Sequence, residues 1–463
     1  MAILGLLGTE QFASERFKSV RRSVFYQYPN GAAPILGLLS MLDGEVLNDP
    51  EFSWYEDRYK ELSGVRVVNG TTSGAWYADS SGSKGSALAT TAADKEAETA
   101  YWLRVDSLEP FRANDVLKLT VDVTGGTAEL QLRIVANASG VWSNSSSGYY
   151  VRVTPLNDVA AVTNLHNSTN AAGEVLVLAN ANAQGQTGSN EGYYALPTST
   201  GNAAMIHRTP FSFTGTALVT SAKFDESGPY KDKAKKASMR HMIQMELQFI
   251  FGEYSKSVDA STGLPTFTTG GILFFLRLWE AGQGNTLAGV TSTYPVAAST
   301  LNSDDNKRII NINGDLAYDD LSDYFERLFR KGNNMSNDKM AFVGSGFLNS
   351  FNKIVKGEIT LNSNLPASDT FGMKVVHATC PFGDVYFKTH PLFSENASMR
   401  YNALFLDVQH FKYRYVQGRD TDIKKNIQPN DADYRKDEWF TEAGFELQFP
   451  EAQMYMVGVT GAA

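Results

Sequence analysis

The clearest pattern in the sequence is an alternation of apolar and polar residues between residues 101 and 196. Its segments are bounded by Gly, Asn, Asp or Pro, and they are "YWLRVDSL", "DVLKLTVDV", "AELQLRIVA", "GYYVRVTPL" and "GEVLVLA". A period of two is typical of strands with one buried face, and the spacing of 10 to 20 residues indicates hairpin connections. We therefore predict a small β-barrel or β-sandwich that folds on its own core.

One segment shows the helical period instead, and the pattern predicts a long helix over residues 229–256. Ser227 or Gly228 can cap its start, Pro229 suits its first turn, and Gly252 is expected to fray or bend its last turn. On a helical wheel, one broad apolar face carries Met239, Met242, Ile243, Leu247, Ile250, Phe251 and Tyr254. A second apolar flank, formed by Met245 and Phe249, is predicted to be available to another segment or to a neighbouring subunit.

The start of this helix is unusually cationic. The positive side chains are Lys231, Lys233, Lys235, Lys236 and Arg240. Because cations in the first turns oppose the helix dipole, we expect an acidic partner close by, such as a second subunit.

The remaining pattern is mixed. Residues 1–54 contain many turn formers and predict an extended arm with a short helix around Ile35–Leu42, whereas the small polar residues of 69–100 predict an exposed loop. Beyond the long helix, "DLAYDDLSDYFERLFRKGNN" predicts a helix and "KMAFVGSGFLNSFNKIV" predicts a strand followed by a helix. Strands outnumber helices, so the predicted class is α+β.

Composition narrows the range of functions. A chain of 463 residues predicts two to four structural units. Its net charge is 41 − 50 = −9 and it has no basic cluster, which disfavours nucleic-acid recognition. The single cysteine, Cys380, excludes an intrachain disulfide and a cysteine-based zinc finger. "MAILGLLG" lacks the positive start of a signal peptide, and we expect a soluble chain with no membrane segment.

Motifs of catalysis and cofactor binding are missing from the sequence. It contains no phosphate-binding loop, no zinc-binding H-E-x-x-H helix and no G-x-S-x-G elbow. His377, Cys380 and His390 form a candidate metal site on an expected hairpin, although successive strand residues point to opposite faces and ordinary packing is the competing interpretation. We predict no enzymatic activity and no cofactor.

The order of these parts resembles a known family. The residues that carry the resemblance are "PEFSWYEDRYKEL", "KFDESGPYKDKAKKASMRHMIQMELQFIFGE", "TTGGILFFL", "KMAFVGSGFLNSFNKIV", "FGMKVVHATCPFGDVYFKTHPLF", "ALFLDVQHFKYRYV" and "EAGFELQFPEAQMYMVGV". Together they resemble the major capsid proteins of tailed bacteriophages with the Hong Kong 97-type fold, and in detail the group with the major head proteins of podovirus-type phages.

The resemblance implies an architecture. In it, 1–54 is the N-terminal arm, 55–102 and 206–226 are the two sides of an extended loop, 227–340 and 421–463 form a peripheral domain whose spine helix is 229–256, and 341–420 is the axial domain. The β-rich block 103–205 departs from the minimal pattern and is expected to be an insertion on the outside of the shell.

The resemblance also implies a function and partners. The chain would assemble into hexamers and pentamers of an icosahedral head in the host cytoplasm, and become part of the virion. Expected partners are a portal protein, a separate scaffold protein and decoration or cement proteins, with only non-specific contact to packaged DNA and none to a membrane. The alternatives are an encapsulin-like nanocompartment shell and a glycan-binding tail or fibre protein.

Candidate assembly residues follow from the arm-to-loop junction, the loop tip and the helix. They are Trp54, Glu56, Asp57, Lys84, Lys235, Lys236, Arg240, Met245 and Phe249. Some family members cross-link a loop lysine to an asparagine of a neighbour, and Lys84 is the loop lysine here. A solvated lysine is the other interpretation of that residue.

Overall fold

The computed structural model describes the chain in segments that cover most of residues 197–462 and the strands before them. These segments are 33–39, 44–57, 63–67, 101–105, 108, 111–123, 126–135, 142–145, 148–156, 162–164, 172–182, 184, 197–219, 229–281, 307–330, 338–358, 367–370 and 373–462. The predicted loop at 69–100, including Lys84, lies outside the described residues.

The helices and strands are numbered in chain order. The helices are α1 Pro34–Leu39, α2 Gly215–Val219, α3 Pro229–Phe251, α4 Ile272–Glu280, α5 Tyr318–Arg330, α6 Ser345–Glu358 and α7 Pro391–Glu395, with short 3₁₀ turns at Val408–His410 and Pro450–Ala452. The first ten strands are β1 Glu45–Leu47, β2 Glu51–Glu56, β3 Ser63–Val67, β4 Tyr101–Val105, β5 Asp115–Val123, β6 Gly126–Ile134, β7 Trp142–Ser145, β8 Gly148–Pro155, β9 Val162–Asn164 and β10 Ala172–Asn180. The others are β11 Thr198–Ala203, β12 Met205–Thr214, β13 Ser255–Val258, β14 Pro265–Thr268, β15 Ile309–Leu316, β16 Asp338–Val343, β17 Ala367–Thr370, β18 Met373–Cys380, β19 Gly383–Thr389, β20 Ala403–Leu406, β21 Phe411–Val416, β22 Asp422–Lys424, β23 Tyr434–Leu447 and β24 Met454–Ala462.

The chain divides into two compact units. The smaller comprises Asp57–Pro197 with Ala297–Asp305, and the larger comprises Met1–Glu56, Thr198–Val296 and Asn306–Ala463. This division falls close to the predicted β-rich block, but β3 comes from the predicted loop and belongs to the smaller unit, whereas β11 belongs to the larger one.

The smaller unit is a closed barrel. Its strands pair in the order β10-β3-β4-β8-β6-β5, and β5 pairs again with β10, so the ring of six strands closes; β7 and β9 attach at its side. In the strands, every second side chain points into the barrel, and Phe111 adds to this core from just before β5. The core residues are Leu103, Val105, Phe111, Leu117, Leu119, Leu130, Leu132, Ile134, Val151, Val153 and Val175. Of the two predicted alternatives, the smaller unit is therefore a barrel and not a sandwich, because the two ends of its sheet hydrogen-bond to each other.

The larger unit contains two main sheets. In one, the order is β1-β21-β23-β12, with β22 also on β23; in the other it is β15-β24-β20-β16-β19-β18-β17. Helices α5 and α6 contribute to the core on the second sheet through Leu321, Phe325, Leu328, Phe347, Phe351 and Ile354. Helices α1, α3 and α4 share a second core with residues of both sheets.

Most sequence predictions of single elements are confirmed, with two corrections around the long helix. The helix ends at Phe251 rather than at residue 256, and Ser255–Val258 is strand β13. A Cβ on Gly252 would lie 2.7 Å from the carbonyl oxygen of Thr269, so only glycine permits this close approach at the helix end. The second concerns strand β12, Met205–Thr214, which overlaps the predicted loop segment 206–226 and pairs along its whole length with β23.

Within the described segments, no helix is both long and apolar enough to cross a membrane.

Candidate assembly interface

The buried face of α3 is not the face that the helical wheel favoured. Residues spaced four apart, Ala237, His241, Met245 and Phe249, are buried, and Ile250 joins them near the end of the helix. Met242, which the wheel placed on the packing face, is 42% exposed. The prediction was wrong because the helix carries apolar side chains on several sides, and periodicity alone does not show which side meets the sheet.

Polar contacts attach the N-terminal half of α3 to strands β12 and β23. Near the start of the helix, the Tyr230 hydroxyl donates to the Asp437 carboxylate. One turn later, Trp439 Nε1 donates to the Ala234 carbonyl oxygen at 3.1 Å. The imidazole nitrogens of His241 lie 2.9 Å from Thr209 Oγ1 and 2.8 Å from Thr441 Oγ1. The C-terminal half, by contrast, packs through Met245, Phe249 and Ile250 in the apolar core.

The N-terminal arm is attached to α3 through one buried carboxylate. Glu246 accepts the backbone N–H of Ile35 at 2.9 Å and of Leu36 at 2.7 Å, in the first turn of α1. His390 Nε2 lies 2.9 Å from the same carboxylate, and both ionisable side chains are fully buried. Glu246 therefore joins the arm, the long helix and the residue that precedes α7.

A second connection of the arm is strand β1, which runs parallel to β21. Its Glu45 accepts from Lys412 Nζ at 2.9 Å and also pairs with Arg414. The hydrogen bond from Lys412 is the main reason that the pKa of the Glu45 carboxyl lies below its usual value. Sequence reasoning missed Glu45 and Glu246, because their partners are hundreds of residues away along the chain.

The cationic start of α3 is partly explained within the chain. Lys233 Nζ donates to the Ser212 carbonyl oxygen at 3.1 Å and lies 4.6 Å from the centre of the Phe213 ring. Lys236 forms an ion pair with Asp232 one turn earlier, at 2.7 Å. Lys235 and Arg240 are exposed. The expected acidic partner is thus present within the chain for Lys236, whereas Lys233 contacts a carbonyl oxygen and an aromatic ring.

Four of the predicted assembly residues are buried inside the chain itself. Met245 is 1% and Phe249 0% exposed, and Trp54 and Glu56 are buried as well. In β2 every second side chain points inward, and Trp54 Nε1 donates to Glu56 Oε1 at 2.8 Å. These four residues pack inside the subunit, and Met245 and Phe249 share a core with residues of the arm. Their direct contact with a neighbouring copy stays a prediction.

The other predicted assembly residues have different positions. Asp57, Lys235 and Arg240 are exposed, and Lys84 lies outside the described residues. Beside the buried residues of β2, the sequence reasoning overlooked Tyr55, which points outward and is 73% exposed. The strict alternation of β2 would have identified it.

Of the three residues of the candidate metal site, the side chains of Cys380 and His390 are described. His390 is engaged with Glu246, and the side chain of His377 lies outside the described residues. Burial raises the pKa of the Cys380 thiol to about 11, which keeps it protonated at neutral pH. Among the described side chains, no group of three His, Cys, Asp or Glu residues is arranged to hold a metal ion.

Comparison with known proteins gives one match over nearly the whole chain. Residues 9–460 match the model of the family described as "SU10 major capsid protein". No curated protein sequence matches the chain.

Solved structures with some similarity include two from mycobacteriophages and one of a particle capsid. The structure titled "Mycobacterium phage Patience" has a TM-score of 0.40 and 9% identity and covers 62% of this chain and 78% of its own. "Mycobacterium phage Bobi" has a TM-score of 0.39 and 9% identity, with 97% and 98% covered. "Capsid of native GTA particle computed with C5 symmetry" has a TM-score of 0.37 and 12% identity, with 61% and 80% covered. Because every one of these TM-scores is below 0.5, these structures support no conclusion about this chain. The family match is the comparison that identifies the chain.

Proposed function

The chain belongs to the SU10 major capsid protein family, and from this membership we propose that many copies of it close an icosahedral phage head around double-stranded DNA. The family match over residues 9–460 is the observation that carries the proposal. It favours a phage head over an encapsulin-type compartment and over a tail or fibre protein. The protein is a structural component of the virion capsid.

The proposed layout of the subunit follows the Hong Kong 97 pattern. The arm, 1–54, docks on its own subunit through β1 and Glu246, and α3 is the spine helix of the peripheral domain. The proposed axial domain, 341–420, contains α6, α7, strands β17 to β21 and part of β16. The division of the chain at residues 57 and 197 supports a longer insertion than 103–205, one that includes β3 in the barrel.

We further propose that the barrel lies on the outer surface of the shell and that the subunit acts without catalysis. A structural shell needs many modest contacts repeated by symmetry, and none of them requires a chemical step. The proposed partners are other copies in hexamers and pentamers, a portal protein, a separate scaffold protein and decoration or cement proteins. Contact with packaged DNA is proposed to be non-specific, and assembly to take place in the host cytoplasm.

The exposed part of the proposed contact surface consists of Asp57, Lys235 and Arg240. Lys235 and Arg240 lie on α3 beyond its buried face, and Asp57 directly follows β2. We propose that Lys235 and Arg240 meet acidic groups of a neighbouring copy, which is consistent with the net negative charge of −9.

Reversing both charges, with Lys235→Glu and Arg240→Glu, is expected to reduce the yield of shells at least about tenfold, as one interfacial repulsion is repeated at every copy. The stability of the isolated subunit should change by no more than about 0.5 kcal/mol, because both side chains are exposed. Sedimentation and electron microscopy measure the shells, and urea unfolding measures the subunit. Lys236 is left unchanged because it pairs with Asp232.

The matched control is Lys235→Gln with Arg240→Gln, which removes the charges without reversing them and should reduce the yield less. If the charge-reversed and neutral variants form shells as well as the original chain, this surface is not a contact between copies. Equal loss of folding and assembly in the charge-reversed variant would assign both residues to subunit stability instead.

A further inference from the structure

Two histidines lie between the N-terminal half of α3 and the sheet beneath it. His241 extends from the helix and contacts Thr209 on β12 and Thr441 on β23. His207 lies on β12 opposite Thr441, and its ring meets that of His241 edge-on with 6.3 Å between the centroids. Both imidazoles are buried, and His207 Nε2 is a buried atom with no hydrogen-bond partner.

Among the described residues, the charged groups on the elements around this histidine pair provide no compensating carboxylate. On β12 and β23, Arg208 pairs with Glu438, and Glu442 pairs with Arg419, on the face opposite to the helix. The Asp437 carboxylate accepts from Tyr230 and from Arg435, and the Asp420 carboxylate accepts from the Tyr413 hydroxyl. On the helix itself, Lys236 pairs with Asp232, Gln244 is near Thr209, and Arg240 is exposed. On β22, which pairs with β23, Asp422 is exposed.

Buried imidazoles in such surroundings favour their neutral form. Burial, together with the neighbouring His241, lowers the pKa of His207 to about 4, and burial lowers the pKa of His241 as well. In the neutral form, one ring nitrogen of His241 donates and the other accepts, and the two threonine hydroxyls rotate to match. A proton on either ring would place a charge in this buried contact without an acidic partner.

We propose that His207 and His241 form an acid-sensitive latch, which releases the N-terminal half of α3 from strands β12 and β23 when the pair is protonated. This inference goes beyond the proposed role as a shell subunit and is independent of it. The C-terminal half stays attached through the apolar packing of Met245, Phe249 and Ile250 and through Glu246, which accepts two backbone N–H groups of α1.

The sign of the pH dependence follows from the lowered pKa values. A histidine with a pKa below about 6.5 in the folded state binds protons more weakly there than in the released state. Its stabilising contribution is complete above pH ~6.5 and is lost progressively as the pH falls towards the folded value. For His207 this window runs from about 6.5 down to about 4.

Amide hydrogen exchange of the full-length chain tests the latch directly. Protection is compared at pH 7.5 and 5.0 after correction for intrinsic rates, in the same assembly state. Protection over residues 230–243 is expected to fall about 30-fold, one factor of ten per pH unit below 6.5 for one protonating group and more for two. Protection in α4, which packs through apolar residues, should stay within about threefold.

The decisive variant is His207→Gln with His241→Gln, in which both residues keep a polar side chain but no longer titrate. It should lose the acid-induced fall in protection over 230–243, whereas the control His410→Gln should keep it. An equal fall in the double variant and in the original chain would overturn the proposal. If the double variant does not fold, the original chain alone still tests the proposal. An equal acid-induced fall in amide protection in α3 and α4 would then contradict a local latch.

Discussion

Glu246→Ala is expected to lower the free energy of unfolding of the subunit by about 3–5 kcal/mol, because it leaves several buried groups without their hydrogen-bond partner. The carboxylate is completely buried and accepts two backbone N–H groups from α1, in addition to its contact with His390. Its removal leaves these groups without partners in the core, where each lost partner is costly. We expect the arm to detach as well, which limited proteolysis between residues 33 and 44 would detect.

Glu253→Ala is the matched control for this prediction. Glu253 follows the same helix, and its side chain is 55% exposed and pairs with the exposed Arg277. Surface pairs of this kind contribute at most about 1 kcal/mol, so the control should unfold almost as the original chain does. Equal urea midpoints for Glu246→Ala and Glu253→Ala would show that the buried contact does not anchor the arm.

Phe249→Ala is expected to destabilise the isolated subunit by about 3–5 kcal/mol, as is typical of an aromatic side chain deleted from a core. Phe249 is fully buried and stacks on Phe445 with 6.0 Å between the ring centroids. The variant tests the assembly-residue prediction, because a residue that contacts only a neighbouring subunit would affect assembly and leave subunit stability unchanged.

Met242→Ala on the same helix supplies the comparison. Since Met242 is 42% exposed, its truncation should change subunit stability by no more than about 0.5 kcal/mol. Urea unfolding of unassembled subunits measures both variants. A stable Phe249→Ala subunit that forms no shells would restore Phe249 as an interface residue and contradict the structure.

The sequence predicts the barrel well because the signal is local. Alternation over segments such as Asp115–Val123 identifies each strand together with its inward face. Strand β3 escaped prediction since Ser63–Val67 is short and begins with Ser and Gly. The ring closes because β5 pairs with β10. These strands are far apart in sequence, so no local pattern predicts their pairing.

The contacts of α3 could not be predicted from its own residues. A helix with apolar groups on several sides fits more than one orientation, and the choice was made by the sheet on one side and by α1 on another. The burial of Glu246 depends on amide groups of Ile35 and Leu36, more than 200 residues away. A charged residue without a visible local partner is normally exposed, so periodicity alone could not identify this contact.

Electron microscopy of the purified full-length chain, alone and coexpressed with scaffold protein from the same source, tests the central claim most directly. We expect closed icosahedral shells of uniform size, built from hexamers and pentamers of this chain. A monodisperse monomer or trimer that never forms shells, with or without scaffold protein, would contradict it.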